Sequence, residues 1–265
     1  MIYTNLKGGL GNMMFQIAAT LSMAIDKGVD ASFPNLMTQL IYLNNENTHN
    51  SKLKHSIEYL SLFDKLLTEQ PPQGLKTYRY PLHYDSTIPE GNKFIIDGFF
   101  QSERYFNHHR DAILSLLQIP DSVMSVINEK YSHILNTKTT SLHVRRGDYV
   151  RHPNHHPTCG DEYYREAISK IDGETTLVVF SDDIDWCKKN LNYDNIIYIE
   201  NEKDYIELYL MSLCDNNIIA NSSFSWWGAW LNQNNKKIVV GPKQWFGSSI
   251  THDDSDIIPE SWIKI

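Results

Sequence analysis

The sequence predicts an α/β protein of two halves, each a mainly parallel sheet covered by helices. Three observations carry this. Short apolar runs alternate with helix-like segments through the second half, a pattern of strands buried on both faces. The N-terminus opens in the same way, with a strand, a glycine-rich turn and an apolar helix. Pro120 then ends a helix-like segment at mid-chain and marks a boundary. The halves are drawn as residues 1–135 and 136–265. Two such halves imply a cleft between them, with ligands at the carboxyl ends of the strands.

In chain order, Ile2–Leu6 reads as a strand, Gly8–Asn12 as a turn and Met13–Asp26 as a strongly apolar helix. Residues 35–93 are polar and carry Pro71, Pro72, Pro81 and Pro89, so they yield no clear elements. Lys93–Phe99 resembles a strand and Glu103–Leu117 a helix. In the second half the expected strands are Thr139–Arg145, Thr175–Phe180, Asn195–Ile199, Asn217–Ala220 and Lys237–Val240. The helices between them are Asp161–Ile171, Ile184–Leu191, Lys203–Cys214 and Ser225–Gln233.

The chain has 265 residues, 41% hydrophobic and 12% aromatic, enough for a sizeable core and far from disordered composition. No run of ~18 or more apolar residues suggests a membrane span, and the N-terminal residues lack the pattern of a signal peptide. A cytoplasmic protein is therefore expected. Three scattered cysteines, Cys159, Cys187 and Cys214, suggest reduced thiols and argue against a disulfide framework or a zinc site. A net charge of −8 disfavours nucleic-acid partners. An anionic ligand would then need a local concentration of positive groups.

Four segments carry chemistry. Gly8-Gly9-Leu10-Gly11-Asn12 lets backbone approach a ligand and offers helix N–H groups to an anion; a plain tight turn is the alternative. In His143-Val144-Arg145-Arg146-Gly147-Asp148, strand alternation puts His143 and Arg145 on one face, and a strand-end arginine can hold a diphosphate with both arms of its fork. Arg146 and Asp148 are expected to pair with each other. In Ser181-Asp182-Asp183, one carboxylate can accept from guanine N1–H and the 2-amino group while the other caps the next helix. Asp183-Ile184-Asp185 also spells a D-x-D metal motif, but at a helix start it is set aside.

Asn221-Ser222-Ser223-Phe224 supplies hydroxyls and amides for a further anion cradle. Trp226, Trp227 and Trp230 follow at helical spacing and read as core. His152, His155 and His156 lie in the loop after the arginines, without a carboxylate or cysteine at ligand spacing, so no metal site is expected.

Together these segments resemble glycosyltransferase family 11, the α-1,2-fucosyltransferases. That family reads GGLGNQxFQ, HxRRxDY, FSDD and NSSFSWWGAWL in this order; the chain has GGLGNMMFQIA, HVRRGDYV, FSDDIDWCKKNL and ANSSFSWWGAWL. Asp97–Phe106 is similar to the family's GYxQSxxYF. Met13 and Met14 depart from the pattern, and residues 35–93 match poorly.

The resemblance implies a GT-B-like fold, with two Rossmann-like halves facing a cleft. It implies metal-independent, inverting transfer of L-fucose from GDP-fucose to the 2-hydroxyl of a terminal galactose on an oligosaccharide or glycolipid, with no cofactor. Arg145 would hold the diphosphate, His143 the nucleoside and Asp182 the guanine. Ser222, Ser223 and Phe224 would line the phosphates, and Gly9, Gly11 and Asn12 would approach from the other half. Arg145, Asn12 and Asp148 are the expected catalytic groups. Gln101, Tyr105 and His155 are candidates on the acceptor side. The base is left open among Asp148, His155, His156 and Asp161. The rival readings are transfer of another GDP-sugar, another fucosyl linkage, or a non-catalytic GDP-sugar-binding module.

Overall fold

The computed structural model describes residues 1–46 and 59–265. The chain divides into two units: Met1–Gln118 with Ser255–Pro259, and Ile119–Asp254 with Glu260–Ile265.

The first unit runs β1 (Ile2–Tyr3), α1 (Leu10–Asp26), β2 (Ala31–Ser32), α2 (Leu36–Glu46), α3 (Leu60–Phe63), β3 (Thr77–Arg79), β4 (Phe94–Asp97) and α4 (Arg110–Leu116). Its strands form a parallel sheet in the order β2-β1-β4-β3. α1 is buried along most of its length, which suits its apolar sequence. It starts at Leu10, so Gly11 and Asn12 belong to its first turn instead of to the preceding loop. The expected helix over 103–117 is broken: two 3-10 turns, Glu103–Tyr105 and Asn107–His109, precede α4. Ser102 initiates the first by accepting from the Arg104 N–H. The unread stretch 35–93 contains α2, α3 and β3, and its residues 47–58 lie outside the described residues.

The second unit runs α5 (Asp121–Leu135), β5 (Thr139–Val144), α6 (Asp161–Ser169), β6 (Thr176–Ser181), α7 (Ile184–Asn190), β7 (Ile196–Tyr198), α8 (Asp204–Leu213), β8 (Asn216–Ile218), α9 (Ser223–Leu231), β9 (Val239–Gly241) and β10 (Ile263–Lys264). α5 lies just ahead of the boundary drawn at 135/136, and it packs with this unit against α8. The division thus comes ahead of residue 119 and not at 135/136. Pro120 occupies the N-cap of α5, so the proline that reads as a stop is a helix start.

The six strands are parallel in the order β10-β9-β8-β5-β6-β7. β5 is central and buried at all six positions. Leu142 and Val144 join a core with Tyr164, Ala167 and Cys187 from α6 and α7. Residues of the other parity are linked to α8 and α9: Ser141 Oγ accepts from Asn217 Nδ2, which also donates to the Met211 carbonyl. Trp226, Trp227 and Trp230 pack there at 1% exposure or less, the core role read from their spacing.

This order locates the switch point at which folds of this kind bind ligands. From β5 the chain proceeds outward through β6 and β7, then returns to place β8 on the other side of β5. The carboxyl ends of β5 and β8 therefore flank a topological switch point, where connections leave in opposite directions and a crevice opens.

Candidate active site

At the end of β5, His143 and Arg145 share one strand face, as alternation requires. His143 is 6% exposed, its ring lies 5.7 Å from that of Phe224 in α9, and its Nδ1 is buried without a hydrogen-bond partner among the described residues. Burial, aided by the nearby Arg145 charge, pushes its pKa down to about 3, so the imidazole is neutral. A neutral ring with an unused nitrogen is suited to a ligand's hydrogen bond.

Arg145 is held by two carboxylates. Its Nη1 meets Asp182 Oδ2 at 2.8 Å and its Nη2 meets Asp148 Oδ1 at 2.5 Å. Burial pulls its pKa down, but Asp182 and Asp148 outweigh that and keep the guanidinium charged. The guanidinium also lies 5.1 Å from the Tyr149 ring centroid. The expected Arg146–Asp148 pair does not form. Arg146 turns to the opposite face, where its Nε donates to Asp183 Oδ2 at 2.9 Å and its guanidinium lies over Trp186. Asp148 is left for Arg145, three residues back.

The two aspartates after β6 divide their work. Asp183 caps α7 by accepting from the Trp186 N–H at 3.1 Å, which accounts for the D-x-D spelling as a helix start. Asp182 accepts from Arg145 with one oxygen and from the Arg146 backbone N–H with the other. Each oxygen retains one further acceptor direction. Gly147 is required here because a Cβ would run into the Asp182 carboxylate.

Across the switch point, Ser222 is the N-cap of α9 but makes no side-chain cap bond, and Ser223 and Phe224 form the first turn. The N-terminus of this nine-residue helix presents backbone N–H groups and a positive dipole end, and its Phe224 ring lies 5.7 Å from that of His143 on β5.

Sequence reasoning passed over Asn221 as a site residue. At 1% exposure, its Nδ2 donates to the carbonyls of Pro157 and Trp245, its Oδ1 accepts from Cys159 Sγ, and its own carbonyl accepts from Tyr149. It ties the loop after the arginines to the turn before α9. Its place directly before the serine pair was the signal that could have found it. Its buried, bonded amide also explains why the Asn-Ser-Ser sequence is no surface sequon.

The open candidates for the base separate. His155 projects from an exposed loop, whereas the ring of His156 stacks on Tyr149 at 4.7 Å with a buried Nδ1 that has no partner among the described residues. Asp161 lies in the first turn of α6 and pairs with Arg165.

In the first unit, Gly8 has a φ of 82°, which favours glycine, and Gly9 is the extended N-cap of α1. Gln16, also missed, locks this turn: it accepts from the Lys7 N–H and donates to the carbonyls of Lys7 and Asn12. Asn12 Oδ1 accepts from Gln101 Nε2 at 2.6 Å, while Gln101 Oε1 is buried without a partner among the described residues. The preceding residue, Phe100, has a φ of 53°, a costly conformation for a bulky side chain, and its carbonyl closes a tight turn to the Ser102 N–H. That turn aims Gln101 at Asn12. Tyr105 does not share in it. Its hydroxyl accepts from the Asp85 N–H and donates to the His83 carbonyl, and its ring packs with Tyr80, Tyr84 and Phe100. Tyr105 is thus buried, with its hydroxyl engaged by backbone.

The sequence model of glycosyl transferase family 11 matches residues 1–265. The chain belongs to that family. Its relatives include the O-antigen biosynthesis glycosyltransferase WbnK of Escherichia coli, 32% identical over all of both chains. An Escherichia coli alpha-1,2-colitosyltransferase is 31% identical over all of this chain and 98% of that one. A Caenorhabditis elegans galactoside 2-alpha-L-fucosyltransferase is 25% identical over all of this chain and 79% of that one. Among solved structures, NodZ alpha-1,6-fucosyltransferase soaked with GDP-fucose aligns with a TM-score of 0.50 at 12% identity, covering 87% of this chain and 92% of that one.

This family 11 chain is thus a glycosyltransferase with an α/β, GT-B-like fold. Among the described residues, no helix is long and apolar enough to cross a membrane.

Proposed function

We propose that this family 11 glycosyltransferase transfers L-fucose from GDP-fucose, with inversion, to the 2-hydroxyl of a terminal galactose on an oligosaccharide or glycolipid. The observation that carries the donor half is the charged Arg145, fixed by two carboxylates at the end of β5 beside the α9 N-terminus. As the glycosidic bond breaks, negative charge grows on the departing diphosphate. Arg145 and the Ser223 and Phe224 amides of the first turn of α9 would meet that charge and need no metal to stabilise it. Asp148 and Asp182 act on the chemistry by positioning Arg145. The spare acceptor directions of Asp182 suit guanine N1–H and 2-amino groups, and His143 Nδ1 suits the nucleoside. Gly9, Gly11, Asn12 and Gln101 would serve the sugar or the acceptor. The three unpaired cysteines fit a reducing compartment such as the cytoplasm.

The linkage is supported by the names of two relatives, the alpha-1,2-colitosyltransferase and the galactoside 2-alpha-L-fucosyltransferase. The first of these also favours a second reading, in which the sugar transferred is colitose. The test is incubation with GDP-fucose or GDP-colitose and lactose, with NMR assignment of the product. Fucose on galactose O2 is expected. Efficient transfer of colitose alone overturns the sugar, and attachment at another hydroxyl overturns the linkage.

A further inference from the structure

We propose that Asp26, His108 and His109 form a binding site for a divalent transition-metal ion of the zinc class, clipping the C-terminal end of α1 to the 3-10 turn Asn107–His109. The Nε2 atoms of both histidines converge on one carboxylate: His109 lies 2.6 Å from Asp26 Oδ1 and His108 3.0 Å from Asp26 Oδ2. The three ligand atoms all lie within 4.8 Å of one another. Metal–ligand bonds of about 2.0–2.2 Å separate tetrahedral ligands by roughly 3.3–3.6 Å, so an ion enters once the two histidine–carboxylate contacts widen and the remaining pair, already within 4.8 Å, adjusts to match. Ser22 Oγ, 3.2 Å from His108 Nε2, supplies a further oxygen at the rim. Two imidazoles and one carboxylate suit zinc, nickel or copper, and not the oxygen-seeking magnesium or calcium.

Electrostatics argues the same way. Asp26 is an anion at the carbonyl end of a 17-residue helix whose last turn has no basic residue. A carboxylate there opposes the helix dipole, and a bound cation would offset both negative charges. Lys27, the next residue, points its ammonium toward the Phe94 ring instead. Within its unit the site lies at the opposite end of α1, a helix about 25 Å long, from Gly9–Asn12. Sequence spacing could not reveal it, since 82 residues separate Asp26 from His108.

The test uses untagged, full-length protein stripped with EDTA and dialysed. Calorimetric titration with ZnCl2 is expected to give one-to-one uptake, and MgCl2 none. At a hundredfold excess over its Kd, zinc should raise Tm by roughly 5–10 °C. Asp26→Asn and His109→Gln should each weaken zinc binding by roughly tenfold or more. No uptake by the wild type, or unchanged affinity in both variants, overturns the site and leaves two histidine–carboxylate hydrogen bonds. Should the variants fail to fold, the histidine ring resonances of the wild type decide. Zinc-induced shifts at His108 and His109 support the site, and shifts confined to other histidines overturn it.

Discussion

One carboxylate, Asp182, meets the Arg145 guanidinium at 2.8 Å with one oxygen and accepts the Arg146 backbone N–H, also at 2.8 Å, with the other. The end of β6 therefore sets both the charge and the backbone path of the arginine turn on β5.

Arg145→Lys should lower kcat by roughly a hundredfold or more in a folded protein, the effect typical of losing one transition-state donor at about 2.7–4 kcal/mol. Lysine keeps the charge but cannot bridge Asp148 and Asp182 while also addressing two phosphate oxygens. Near-normal kinetics, measured by GDP release, would remove Arg145 from the diphosphate.

Asp182→Ala should weaken GDP binding through loss of the Arg145 anchor, and should also narrow the preference for GDP over ADP. A site that bonds a group rejects analogues lacking it, because its own polar atoms go unpaired. Calorimetry with both nucleotides separates the two effects. Equal losses for GDP and ADP would restrict Asp182 to positioning Arg145.

His143 should make acid stability steeper than carboxylates alone do. Its folded pKa, about 3, is below the unfolded value near 6.5, so below pH 6.5 the unfolded chain binds a proton that the native state refuses. Its contribution is fully present above that pH and is lost progressively as pH falls toward 3. His143→Phe should show a flatter limb between pH 6.5 and 3 in urea melts. Parallel curves for wild type and variant would contradict the buried neutral ring.

Asn221→Ala should destabilise the protein by at least about 2 kcal/mol, since it strips partners from two carbonyls around a buried position. Denaturant midpoints report this. A change below about 0.5 kcal/mol would mean that water replaces the amide.

Turnover should survive excess EDTA, because Arg145 and the α9 amides can neutralise the leaving diphosphate. Loss of activity with EDTA, restored by manganese or magnesium, would return Asp183 and Asp185 to consideration.

The legible parts of the sequence were those governed by local rules. β5, β6 and the helices between the later strands follow from apolar runs and their periodicity, and α9 from its tryptophan spacing. The arginine turn and serine pair stood out because strand ends in such folds meet ligands. What escaped depended on distant partners. Which carboxylate Arg145 or Arg146 would take turned on strand register, with Val144 opposite Ser181. Local charge order suggested Arg146–Asp148, but β5 ends at Val144 and the turn at Gly147–Asp148 brings Asp148 to Arg145, leaving Arg146 to Asp183. Gln101 showed no sign of the strained Phe100 turn that aims it, and Tyr105 looked polar although its hydroxyl serves backbone. α5 was hidden by reading Pro120 as an end, when proline is equally at home at a helix start.

The pairing of β5 with β8 joins Thr140 to Asn216. Between them the chain makes β6, β7 and three helices before it returns. No contiguous fragment shorter than that excursion contains both walls of the switch point. A growing chain on the ribosome therefore presents its arginine turn well before the serine helix that completes the proposed anion cradle. Productive nucleotide binding becomes a report on long-range closure of the sheet, and GDP should act as a ligand of the finished topology, slowing its opening as a latch does.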